Sequence, residues 1–173
     1  MANRTIKTYG EPVLRENARE ISEITQGIRR LAMDMIETMR TAPGIGLAAP
    51  QVGESVRLIV VTFGIEEDSP RPRVLINPEL IWHNDDVESC EEGCLSVPDV
   101  TGVVSRWTEI RIRAMTLDGD TIEEILSGWT ARIFQHELDH LDGILFIDRL
   151  SRLKRDLVKR RLKKRLRSET AAM

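Results

Sequence analysis

Residues 129–143 read Trp129-Thr130-Ala131-Arg132-Ile133-Phe134-Gln135-His136-Glu137-Leu138-Asp139-His140-Leu141-Asp142-Gly143. The stretch reads as a helix over 129–142, stopped by a glycine. Positions four apart on a helix share a face, so His136 and His140 project to the same side. Two imidazoles placed in this way can hold one metal ion, with Glu137 between them near metal-bound water. A catalytic metal site commonly takes three protein ligands and keeps one position open.

The elements around this helix are short. Ile24, Ile28, Leu31, Met35 and Met39 follow helical spacing, which predicts a helix over 24–40 that ends at Pro43-Gly44. Residues 56–63 are a continuous apolar, β-branched run and read as a buried strand. Residues 65–73 are charged, hold two prolines and read as a surface loop; 73–82 read as a strand broken at Pro78. Ile110, Ile112 and Ala114 alternate with charged residues in a strand over 109–117, and Asp118-Gly119 turn it into a second strand over 121–126. Short strands with flanking helices give an α+β fold with mainly antiparallel pairing.

The 173 residues suit one domain with one sizeable core. No apolar run approaches the ~18 residues of a membrane span, and the start lacks the apolar stretch of a secretory signal. Aromatics are 4% of the chain, too few for a base-stacking platform. Two cysteines make no disulfide framework, so a reducing cytoplasm is expected. The net charge of −3 conceals an asymmetry. Residues 151–167 hold ten of the 25 basic residues and one acid, a net of +9, while the rest of the chain carries a net of −12. A basic, helical end on an acidic body suggests a polyanionic partner for that end.

Downstream of His140, the acids Asp142, Asp148, Asp156 and Glu169 follow no glycine-punctuated metallopeptidase pattern that would supply a third ligand. Cys94, in Glu91-Glu92-Gly93-Cys94-Leu95-Ser96, is the upstream candidate, since a thiolate suits zinc or ferrous iron. Cys90 leaves a closed, structural Cys2His2 site open as a rival, which would make the chain a zinc module with a nucleic-acid-binding tail. The only other histidine, His83, reads as structural. Gly44-Ile45-Gly46-Leu47-Ala48-Ala49-Pro50-Gln51-Val52-Gly53 contains G-x-G-x-x-A, with Glu66 further on, as a dinucleotide fingerprint would ask. A helix precedes it, however, and Pro50 and Gly53 would spoil a following one, which argues for a loop whose backbone approaches a substrate closely.

Taken together, Gly44–Gln51, Glu92–Ser96 and Gln135–His140 resemble the three motifs of the peptide deformylase family, in order and spacing. The likeness runs from Tyr9-Gly10 to about Ser151. It implies an α+β fold with antiparallel sheets around a central metal-binding helix. It implies Cys94, His136 and His140 as ligands of ferrous iron, with zinc, nickel or cobalt able to replace it. The implied reaction removes the formyl group from the N-terminal formyl-methionine of new polypeptides and releases formate. Glu137 would be general base and then acid. The Gln51 amide and the Leu95 backbone N–H would face the formyl oxygen. Ile45, Gly46 and Gly93 would pair with an extended peptide, and Ile45, Trp129 and Ile133 would surround its methionine. Arg132 falls among the pocket positions, and Thr101 and Arg106 lie where relatives carry arginines near substrate.

These readings place the catalytic domain over residues 1–149 and a basic C-terminal helix and tail over 150–173. Leu150, Leu153, Leu157 or Val158, Leu162 and Leu166 are expected to form one apolar stripe on that helix. The resemblance implies that it docks on the ribosome, and with no Trp or Phe to anchor the stripe no membrane partner is expected. The alternative function is a zinc metallopeptidase using the same histidine pair on internal peptide bonds.

Overall fold

The computed structural model describes residues 2–65 and 69–171, so Glu66 lies outside the described residues. The described residues form seven strands: β1 Gly46–Ala48, β2 Leu58–Phe63, β3 Arg71–His83, β4 Val87–Cys94, β5 Val97–Trp107, β6 Glu109–Met115 and β7 Thr121–Ser127. Three α-helices join them: α1 Gln26–Thr41, α2 Gly128–Leu141 and α3 Arg152–Ala171. All sheet pairing is antiparallel, in a five-stranded sheet of order β1-β2-β3-β6-β7 and a two-stranded sheet of β4 and β5. Among the described residues, no helix is long and apolar enough to cross a membrane.

Strand β2 is apolar at every position but Thr62 because both of its faces are covered. Leu58 and Val60 pack with Leu31, Met35 and Met39 of α1. Ile59 and Val61 pack with Ala131, Ile133, Phe134 and Leu141 of α2. Phe134 is fully buried, a contribution of about 1.5–3 kcal/mol for such a side chain. Helix α1 starts at Thr25, whose hydroxyl accepts the Ile28 N–H at 3.3 Å. Helix α2 stops at Gly143, which has φ +71° and stands so close to Arg15 that a Cβ would fall 2.7 Å from its carbonyl oxygen.

The strand over 73–82 is not broken at Pro78. It runs from Arg71 to His83, and the proline is absorbed in a register shift between Ile76 and Glu79, with Asn77 at φ +48°. A bulge accommodates a residue with no N–H to give. The glycine-rich loop likewise contains the short strand β1 and a 3-10 turn over Ala49–Val52. Residues 87–107, unassigned above, form the β4–β5 hairpin.

The expected single leucine stripe of the C-terminal helix divides in two. Leu150, Val158 and Leu162 pack with Leu14, Val97, Val104 and Phe146, whereas Leu153 and Leu157 are exposed. Leu150 precedes α3, and of the adjacent pair it is Val158, not Leu157, that turns to the body.

Candidate metal centre and substrate cleft

Two elements bring the metal-ligating candidates together. Helix α2 carries His136 and His140 one turn apart, with ring centroids 5.1 Å from each other. Cys94 ends β4 at a register shift after Gly93, which aims its side chain at the helix. The Cys94 Sγ lies 3.2 Å from His140 Nε2, and ligand atoms of Cys94, His136 and His140 all lie within 4.8 Å of one another. Among the described residues this is the only such group, and Cys90 is not part of it. His83 hydrogen-bonds the Asn84 carbonyl and stacks on Trp107.

The site is braced by charges that no local pattern announces. Glu92 Oε2 lies 3.0 Å from His136 Nδ1, which leaves the other ring nitrogen for a ligand. Arg106 donates to both oxygens of Glu92 at 2.9 and 3.0 Å. Arg132 donates to Glu92, to the Val104 carbonyl and to the Glu88 carbonyl, so these partners hold its charged head in place. Burial works against the Glu92 charge, but His136 and Arg106 hold its pKa well below the usual carboxylate range. Burial likewise opposes charge on His136, yet hydrogen bonds with Cys94 and Glu92 hold that ring well above the ordinary imidazole value. Burial, with His136 and Arg106 nearby, pushes His140 well below it.

Glu137 is buried beside the ligands, and burial pushes its carboxyl up to about 7. Among the described residues, neither its Oε2 nor the His140 Nδ1, both buried, has a hydrogen-bond partner. The Gln51 side chain is oriented by the Ala48 N–H, which donates to Oε1 at 2.8 Å. Its amide Nε2 therefore faces Ser96 Oγ and Cys94 Sγ, at 3.2 and 3.5 Å.

A cleft of about 450 Å³ opens here. It is lined by ten of the eleven residues to which the resemblance gives site roles, Ile45, Gly46, Gln51, Gly93, Cys94, Leu95, Trp129, Ile133, His136 and Glu137, and by Arg132. His140 lies behind them, 1% exposed. Thr101 is at the cleft wall and donates to Glu91 Oε1, whereas Arg106 is buried behind it. The ion pairs of Glu92, Arg106 and Asp139, and the acids Glu91 and Asp99 along the wall, went unread in the sequence. Their partners lie far apart along the chain, so no spacing betrays them.

The donor set fits a divalent ion. A tetrahedral centre with ligands at 2.0–2.3 Å sets its donors roughly 3.3–3.6 Å apart, close to the Cys94–His140 separation. One thiolate and two imidazoles suit zinc and ferrous iron.

The polypeptide deformylase family model matches residues 3–156. A peptide deformylase of Desulforudis audaxviator is 50% identical over 149 residues, 86% of this chain and 94% of that protein. The crystal structure of peptide deformylase from Ehrlichia chaffeensis in complex with actinonin superposes with a TM-score of 0.88 at 34% identity, covering 95% of this chain and 98% of that one. A Met-Ala-Ser-bound class I type b peptide deformylase from Acinetobacter baumannii gives a TM-score of 0.80 at 36% identity, covering 86% of this chain and 99% of that one.

Proposed function

We propose, from the premise that this chain belongs to the polypeptide deformylase family, that Cys94, His136 and His140 hold one divalent ion and that Glu137 moves the proton in the reaction. The activity is peptide deformylation. Water is added across the formamide of an N-formyl-methionyl chain, the C–N bond breaks, and formate and a free N-terminal amine result. The relatives share this name, which sets aside the metallopeptidase reading of the paired histidines.

When bound, the ion supplies Lewis acidity and brings the pKa of water from 15.7 towards ~7. Glu137 takes the water proton and returns it to the leaving nitrogen. Its burial supports that role, because a carboxyl near neutrality can both accept and give a proton at working pH. As the formyl carbon is attacked, charge grows on its oxygen. The Gln51 amide and the Leu95 backbone N–H are our candidates to meet it, one such donor being worth about 2.7–4 kcal/mol. The Ala48 contact holds that amide ready.

Strand β1 pairs only with β2, and β4 only with β5, among the described residues. Each therefore offers an open edge at the cleft. An extended peptide between them would pair with Ile45 and Gly46 on one side and Gly93 on the other. Ile45, Trp129 and Ile133 would take the methionine. The bound Met-Ala-Ser of the Acinetobacter relative supports this substrate class.

We take ferrous iron as the native ion, with zinc, nickel or cobalt as substitutes, and a reducing cytoplasm as the place where Cys94 stays a thiolate. Residues 1–149 would hold the whole catalytic site. The basic segment 150–173 would serve as a ribosome-docking helix.

The single observation behind this reading is the convergence of Cys94, His136 and His140 beside Glu137 in one cleft. Formate release from formyl-Met-Ala-Ser, with metal analysis of protein purified without oxygen, tests it. Protein that carries no metal, or that cleaves internal bonds and releases no formate, would overturn it.

A further inference from the structure

We propose that Asp139 and Arg149 are positioning residues for His136, acting from outside the substrate cleft through a chain of ion pairs. Arg149 Nε and Nη2 donate to the two oxygens of Asp139 at 2.6 and 2.5 Å. Asp139 Oδ2 also accepts from Arg106 Nη1 at 2.6 Å. Arg106 in turn grips Glu92, and Glu92 fixes His136 Nδ1. Charges alternate along the path. The side chains of Arg106, Glu92 and Asp139 are 3%, 6% and 9% exposed, so solvent screens them weakly.

Arg149 is the one exposed member, at 43%, and ends the 3-10 turn Phe146–Arg149 just before α3. Glu92 has a second cation in Arg132. Asp139 likewise has two cations and no third: among the described residues, Arg106 and Arg149 alone bind its side chain. Without Arg149, the Asp139 carboxylate has only Arg106 to draw on and competes for it with Glu92. A loosened Glu92 frees the His136 ring to rotate away from Cys94 and His140. His140 has no comparable brace on its Nδ1, so the chain acts on one ligand of the three.

The two ends can be separated experimentally. Asp139, Arg106 and Arg149 line a second cavity of about 380 Å³, which shares no lining residue with the substrate cleft. Arg149 can therefore be altered without touching substrate. Its partial exposure also makes it the safest position at which to remove a charge.

The inference rests on the three-ligand site proposed above. Metal release to a chelator is measured for the loaded parent, Arg149→Gln, Asp139→Asn, Arg149→Lys and a control, Arg73→Gln. Arg73 forms a two-point pair of the same kind with Glu124, at 2.8 and 2.7 Å, away from these ion pairs. We expect release to rise roughly 3–10-fold for Arg149→Gln and Asp139→Asn, at or below the range for direct outer-shell partners. Arg149→Lys should recover most of the loss, and the control should match the parent. The cobalt-loaded protein should show a shifted absorption band in the first two variants only. Parent-like release with an unshifted cobalt band in Arg149→Gln overturns the inference. So does a control that loses metal equally fast, since general destabilisation then accounts for the effect. A parent that takes up no metal sinks the three-ligand site itself.

Discussion

Gly46 lies so close to Glu137 that a Cβ on it would fall 2.3 Å from Glu137 Oε1 and 2.8 Å from Ile133 Cγ2. The backbone of β1 and the Glu137 carboxyl thus share one narrow space. Gly46→Ala must push Glu137 aside or open the strand. Misplacement by about 1 Å costs on the order of 10²-fold in rate, so deformylation should fall at least tenfold while the fold survives. Formate release and a thermal melt check this together. Parent-like activity would mean that Glu137 moves freely and that its position is not critical.

Glu137→Gln keeps the shape and removes the proton carrier. Metal content should stay at the parent level, because the side chain is no ligand in this assignment. Turnover should drop by at least ~10²-fold. A variant that is fully metallated and still fast would return the acid–base role to another group.

The two cysteines should behave differently. Cys94→Ser replaces a thiolate with a poor anionic ligand and should weaken metal binding. Cys90→Ser should leave it intact, because Cys90 is outside the ligand cluster. Equal metal loss in both would revive the closed four-ligand site.

Much of this site was legible in the sequence because its chemistry is local. The histidine pair sits one turn apart on α2, and Cys94 and Gln51 sit in short glycine-containing motifs. The β4–β5 hairpin was not legible. Along β5 the inward positions are Val100, Gly102, Val104 and Arg106, all buried. A glycine and an arginine interrupt the apolar alternation that identifies a strand. Both are explained only in three dimensions. A Cβ on Gly102 would meet Leu150 Cδ2 at 2.5 Å, and Arg106 is neutralised by Glu92 and Asp139. Strand β4 is mostly exposed and polar, so it shows no alternation at all.

Asp148 supplies a pH prediction. Burial opposes its charge, but Arg15, the Leu145 N–H and Lys159 outweigh burial and hold its pKa below the ordinary value. A depressed carboxyl stabilises the fold above its unfolded pKa, near 3.9, and loses that contribution as pH falls through the folded value. Asp148→Asn should therefore cost about 1 kcal/mol at pH 7, after allowance for its partial exposure. The gap from the parent should close below roughly pH 4. Urea unfolding at both pH values is the measurement, and an unchanged gap would show that the charge is not its source.

The last prediction concerns α3. Leu153, Leu157, Arg160, Arg161 and Lys164 recur at three to four residues, apart from the adjacent arginines, and so share one face of the helix. All five are exposed. The opposite face carries Leu162, which is 5% exposed and packs with Leu14 and Phe146. Cutting the chain near Ser151 would strip that leucine from the core and confuse docking with unfolding. Reversing charge on the outer face avoids this. Arg160→Glu, Arg161→Glu and Lys164→Glu combined should leave deformylation of a short formyl peptide near the parent rate, because none of the three lines the cleft. Each cation that meets a phosphate releases counterions, so co-sedimentation with ribosomes should weaken steeply and its salt dependence should flatten by up to about three phosphate contacts. Unchanged ribosome binding in the triple variant, or none by the parent at low salt, would sink the docking role and leave α3 as a helix that only packs on the body.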